Sequence, residues 1–188
     1  PAIALIRRHH APAGAGRVEE GDKHVSAWLV SHPQDNGTRL FLAEHLTTSR
    51  QYKAAADHYL LLNQNIPGNL VVLNNLAFTL SELKDKRALS FAEQAHKLKP
   101  DNPAVMDTLG WLLVQEGQSQ RGIKLLQQAL SKAPDAAEIQ YHLAAAYIKV
   151  GDRARAQSEL ERLLASGMTF PQEQEARVLL SQLQGKTR

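Results

Sequence analysis

Apolar positions along this chain recur at helical spacing, and the helical runs themselves recur. Leu109 and Leu113, four residues apart, give one run a single apolar face, and Leu125, Leu126, Ala129 and Leu130 give the next run another. Between the runs Glu116-Gly117 reads as a tight turn. Pro134 stops the second run, because it has no N–H to donate and disfavours helix in the residue before it. Pro103 to Asp135 is thus a helix, a turn, a second helix and a stop. Gly110 has no side chain, so the pattern predicts a close approach of the partner helix there. A hairpin with two apolar faces cannot bury both alone and has to stack on others like it.

The others are present. Pro33, Pro67, Pro100 and Pro134 close successive runs at intervals of 34, 33 and 34 residues. Asp35-Asn36, Asn69, Asp101-Asn102 and Asp135 stand where each can cap the next helix. Residues 36–69 carry Leu42-Ala43 and Leu46, then Ala55, Tyr59 and Leu62, with Tyr52 at the turn. Residues 70–102 carry Leu73, Leu76-Ala77 and Leu80, then Ala88, Ala92 and Ala95, and the turn Leu83-Lys84-Asp85-Lys86 is one residue short. Residues 103–136 hold the first-described hairpin. Residues 137–170 carry Leu143-Ala144 and Tyr147, then Ala156, Leu160 and Leu163, with a longer connection through Gly167, Phe170 and Pro171.

Both ends depart from the pattern. Residues 1–35 read as a partial or worn copy. Ile3, Leu5 and Ile6 begin a helix that Pro12 and an Ala/Gly run end early, and Val25, Trp28 and Leu29 face one way on a second helix. Residues 171–188 supply a final amphipathic helix and tail, with Ala176, Leu179, Leu180 and Leu183 on the apolar side. Such a helix covers the face that the last hairpin would expose. Ala55, Ala88, Ala95, Ala129 and Ala156 mark further places of close helix contact.

Met106, Leu109-Gly110 and Leu113 fall at the W-x2-L-G-x2-Y spacing, and Gly122, Leu126 and Pro134 at the A-x3-F and closing Pro, of the tetratricopeptide repeat, which the chain resembles. The resemblance implies an all-α solenoid of antiparallel helix pairs, wound as a right-handed superhelix, with a C-terminal capping helix. The phrases Leu73-Asn74-Asn75-Leu76-Ala77, Asp101 to Leu113, and Glu159 to Gly167 followed by Phe170-Pro171 are more specific. They resemble the C-terminal part of the long tetratricopeptide lipoproteins that accompany exosortase and PEP-CTERM sorting systems in Gram-negative bacteria. That likeness implies a periplasmic, lipid-anchored scaffold of exopolysaccharide export and protein sorting.

Composition narrows the function classes. Of 188 residues, 43% are apolar and 22% charged, and aromatics are only 5%, as suits closely packed Leu- and Ala-rich helices. A net charge of +3 against 22 basic and 19 acidic residues is too weak and dispersed for a nucleic-acid partner. With no Cys there is no disulfide, thiolate metal site or Cys nucleophile. No apolar stretch reaches the roughly 18 residues of a membrane span. The chain starts at Pro1 without Met, and the expectation is a piece of a longer protein whose remaining part carries any targeting signal. The eight His show no helical metal-ligand pair and read as structural or solvated side chains, His9-His10 beside Arg7-Arg8 included. Neither a nucleophile elbow nor a phosphate-cradling Gly loop is present. No cofactor, metal or enzymatic role is expected.

What remains is the inner surface formed by the first helices. Residues one turn apart on their open side are Leu40, Glu44 and Thr47, then Asn74, Phe78 and Ser81. Asp107, Trp111 and Gln115 follow, then Tyr141, Ala145 and Ile148. Phe78, Trp111 and Tyr141 would form an aromatic row, suited to anchoring a peptide because rings bury much area for little lost side-chain entropy. The same rings could instead fill space between successive first helices. Tetratricopeptide proteins that grip acidic chaperone tails use Lys and Asn at matching places. Asn74 is present, but Leu40, Asp107 and Tyr141 stand where basic residues would be, so a carboxylate clamp is not supported. The expected partner is a peptide with apolar side chains or a partner helix. The alternatives are a structural module, self-associating through its ends, and a regulatory segment of a larger enzyme.

Overall fold

Local chemistry sets the helices one by one. The computed structural model describes residues 15–185, so the helix expected from Ile3, Leu5 and Ile6 and the basic run at residues 7–10 lie outside them. The described residues are all-α, with ten helices. These are α1 (Ala15–Ser31), α2 (Asn36–Thr48), α3 (Tyr52–Asn65), α4 (Leu70–Glu82), α5 (Arg87–Leu98), α6 (Pro103–Gln115), α7 (Ser119–Lys132), α8 (Ala137–Lys149), α9 (Arg153–Ala165) and α10 (Glu173–Leu183).

Starts of the first helices follow one rule: the cap position stands two residues after the closing Pro. Asp35 accepts from Thr38 N at 3.0 Å, Asn69 from Val72 N at 3.1 Å and Asn102 from Val105 N at 3.2 Å. Asp135 stands one residue too early. The cap position of α8 is Ala136, which has no side-chain acceptor, so the cap expected from Asp135 is not formed. Ends follow another rule. Arg50, Lys84, Gly117 and Gly151, each in the turn after a first helix, have φ of 58, 56, 83 and 80°. The residue after each donates its N–H five residues back, to the carbonyls of Leu46, Leu80, Leu113 and Tyr147. Each residue itself donates three back, and the two bonds together satisfy the helix-end carbonyls.

The short turn after α4 is absorbed at the start of α5. Ala55, Gly122 and Ala156 bond four residues back, whereas Ala88 N bonds three back to Asp85 O at 3.0 Å. One residue fewer is accommodated by a tighter first turn.

The chain divides into two compact units, Pro1–Ala88 and Leu89–Arg188. In the first, α2 packs on α3 and α3 on α4, and the expected Leu42, Ala43, Leu46, Ala55, Tyr59 and Leu62 are buried. One position departs from apolar packing. Where the later hairpins carry Leu73 and Met106, the first carries Arg39, 7% exposed, whose guanidinium donates to Pro33 O at 2.9 Å and lies 3.4 Å from His58 Nδ1. The last hairpin has Gln140 at that position, bonded to the backbone and carboxylate oxygens of Glu159 at 3.2 Å each.

In the second unit α6–α7, α7–α8, α8–α9 and α9–α10 pack in sequence, and α6 also meets α8. The closest approach is at Gly110 and Gly122. A Cβ on Gly110 would lie 3.0 Å from Gly122 O and from Leu126 Cγ, and one on Gly122 would lie 2.5 Å from Val114 Cγ2. Pattern alone marks the first of these as a close approach and reads the second only as the small residue of the repeat, where Ala55, Ala88 and Ala156 stand elsewhere. α10 lays Ala176, Leu179, Leu180 and Leu183 against a cluster of Tyr141, Ala144, Leu160, Leu163 and Phe170.

Candidate partner-binding surface

In Leu89–Arg188 the contact between α6 and α8 sets Asp107 and Trp111, one turn apart, opposite His142. Nδ1 of His142 lies 2.9 and 3.0 Å from the two Asp107 carboxylate oxygens. Asp107 is only 9% exposed, and a carboxylate that dry needs a partner. The pair fixes the plane of the imidazole, which stacks on the Trp111 indole at 5.2 Å between centroids and 10° between planes. Trp111 is half-buried and also packs against the core cluster that contains Met106, Val114 and Ile139. An Asp–His pair also occurs in acid–base sites. Here both side chains are largely covered and flank an indole, which suits the support of an anchor.

Gln115, one turn further, is exposed, and its carbonyl accepts from Lys149 Nζ at 3.1 Å. Ile148 and Ala145 are half-buried. Tyr141 is not on the open surface. It is 7% exposed, with its ring 6.3 Å from Phe170 and 5.9 Å from His142. Burial, then the hydrogen bond to the Glu175 carboxylate and its charge, push the phenol well above its ordinary pKa. The long connection before α10 folds Phe170 over this ring, so Tyr141 is core and leaves the expected aromatic row. Asp107, expected as an open polar contact, is the buried half of a pair.

In Pro1–Ala88 Phe78 is 36% exposed and meets Tyr52 edge-on, 6.3 Å between centroids at 79°. Leu40 is half-buried and Glu44 exposed. The Thr47 and Ser81 hydroxyls are turned back onto Ala43 O and Phe78 O. Asn74 is half-buried, and its Oδ1 is enclosed without a hydrogen-bond partner among the described residues. The structure therefore gathers Asp107 and Trp111 around His142, and separately pairs Phe78 with Tyr52. His142 is the residue that sequence reasoning passes over. Its signal is a polar pair 35 residues apart, one more than the repeat period, which brings neighbouring first helices face to face.

Asp107 also borders a cleft of about 740 Å³ at the N-terminal ends of α6 and α8, closed on one side by the connection before α10. Ile139, Met168 and Phe170 supply apolar wall, and Asp107, Asp135 and Glu138 supply carboxylates. Among the described residues no group of three or more His, Asp or Glu is placed to hold a metal ion, and no helix is long and apolar enough to cross a membrane.

Residues 113–183 match the family model of the tetratricopeptide repeat. Over 140 residues the chain is 30% identical to the TPR repeat-containing protein PA4667 of Pseudomonas aeruginosa, a match covering 69% of this chain and 23% of that protein. The chain thus spans less than a quarter of this curated relative. Among solved structures, TTC0263 of Thermus thermophilus, a thermophilic TPR protein, is similar with a TM-score of 0.73 at 21% identity, over 97% of this chain and 96% of that one. MamA from Desulfovibrio magneticus RS-1 gives 0.69 at 18% identity, covering 87% and 89% of the two chains. YrrB, a TPR protein with an unusual peptide-binding site, gives 0.63 at 17% identity, covering 88% and 86%. Residues 113–183 thus carry the tetratricopeptide repeat in their sequence, and the described chain has the fold of tetratricopeptide-repeat solenoids.

Proposed function

We propose that the chain is a non-catalytic scaffold that binds a peptide or partner protein on the open face of its first helices, with Trp111 as an anchor. The observation that carries the reading is the stack of Trp111 on a His142 held by Asp107. An aromatic side chain already fixed in place loses little freedom on binding, and that is where hot spots concentrate. Gln115 and Ile148 continue this face in one unit, and Phe78, Leu40, Glu44 and Asn74 belong to the corresponding face in the other. The tetratricopeptide fold is generally an interaction scaffold, and a structural neighbour has a peptide-binding site.

The likeness of residues 101–113 and 159–171 to exosortase-associated lipoproteins extends this proposal. It makes the scaffold part of an exopolysaccharide-export and protein-sorting assembly, held in the periplasm by a lipid anchor elsewhere in the full protein. That extension rests on sequence phrases alone.

A photo-crosslinking residue at Gln115 in the full-length protein tests the surface. It should trap a partner that the same residue at Lys124, exposed on α7, does not trap. Equal trapping from both positions would show that the first-helix face is not the binding face.

A further inference from the structure

The cleft at the N-terminal ends of α6 and α8 has a chemistry of its own. Its volume of about 740 Å³ falls inside the roughly 300–1,000 Å³ range of ligand pockets. Ile139, Met168 and Phe170 offer apolar wall, while Asp107, Asp135 and Glu138 bring three carboxylates, and no Lys, Arg or His is among the described residues lining it. Against these stand two helix N-termini, each equivalent to roughly half a positive charge. Asn102 already satisfies one backbone N–H at the start of α6. Protonation of His142 would offset Asp107 as well. Even then the cleft keeps net negative charge, although the chain as a whole is formally +3.

Asp107 sharpens the point. It is nine-tenths buried and its one hydrogen-bonding partner among the described residues is His142 Nδ1, which both oxygens share. A carboxylate offers about four acceptor positions, so most of this one's capacity stays unused at the border of the cleft. A cationic donor entering from the cleft would satisfy it where water competes poorly.

We infer that the cleft takes a basic side chain, Arg or Lys, flanked by apolar residues in a partner segment, with the cation on Asp107, Asp135 and Glu138 and the apolar neighbours on Ile139, Met168 and Phe170. The inference rests on the scaffold reading above and names the chemistry of its partner. It also accounts for the absence of the basic positions that a carboxylate-gripping surface would need.

The probe is a library of random 12-residue peptides displayed on phage and selected on the whole chain. The Asp135→Asn/Glu138→Gln double variant serves as counter-target, both residues being exposed so that folding is not at stake. The expected result is enrichment of peptides with Arg or Lys beside apolar residues. A synthetic peptide from that set should bind the double variant about tenfold more weakly and lose affinity as salt rises. Enrichment of acidic or purely apolar peptides, no enrichment, or equal binding to the double variant would overturn the assignment. The Gln115 crosslink keeps the two readings apart: a partner trapped there with no basic preference in the library leaves the scaffold standing and removes the cleft.

Discussion

Arg39 keeps a guanidinium inside a helix hairpin, beside a His that has to stay neutral. Burial first, then the Arg39 charge, lower the pKa of His58 below its ordinary value of 6.5, and Asp57 opposes this more weakly. The unfolded chain therefore binds the proton more readily, so stability is present above about pH 6.5 and is lost as pH falls from there toward the folded value. In Arg39→Met the melting temperature at about pH 7.5 should hold or rise, since a buried charge is often replaced by a well-packed apolar side chain without loss. The drop in melting temperature down to about pH 5.5 should also shrink, and an unchanged drop would remove Arg39 as a cause. Asp107→Ala makes the opposite case. It leaves His142 Nδ1 without its carboxylate acceptor, at a cost of about 1–3 kcal/mol by denaturant titration. In a Trp28→Phe background it should also loosen the Trp111 indole, read as lower fluorescence anisotropy.

Element by element, the turns and crossings are where a residue choice matters most. Lys84 holds φ of 56°, where Gly117 and Gly151 serve in the later turns. Lys84→Gly should stabilise by about 0.5–1 kcal/mol, because relief of the left-handed strain exceeds the entropy that Gly adds to the unfolded chain. Gly122→Ala gains helix propensity of roughly 1 kcal/mol. It also drives a methyl into Gly110 O and Val114, so a net loss of about 1–3 kcal/mol is expected in urea unfolding. Gly122 shows the limit of pattern reading. Its position is legible as the small residue of the repeat, but how close the helices come there depends on Gly110 across the gap. The caps were legible once the closing prolines were fixed, and Asp135 failed because capping needs one exact register.

For the molecule as a whole, α10 is the test of capping. Deleting residues 173–188 should expose the cluster of Tyr141, Leu160, Leu163 and Phe170, lower the melting temperature and increase binding of an apolar dye. An unchanged melting temperature would show that the last hairpin does not need this cover. The sequence by itself determined the period, the helix pairs, their stops and their small contact residues. All of these follow from bonds and side-chain spacing within a few residues, which the chain carries locally. Only the tertiary structure decided which first-helix residues stay open. Asp107 is covered because α8 sets His142 against it, and Tyr141 because Phe170 returns over it from beyond α9. Burial at a repeat surface is settled by what a neighbouring element places opposite, and that partner lies tens of residues away along the chain.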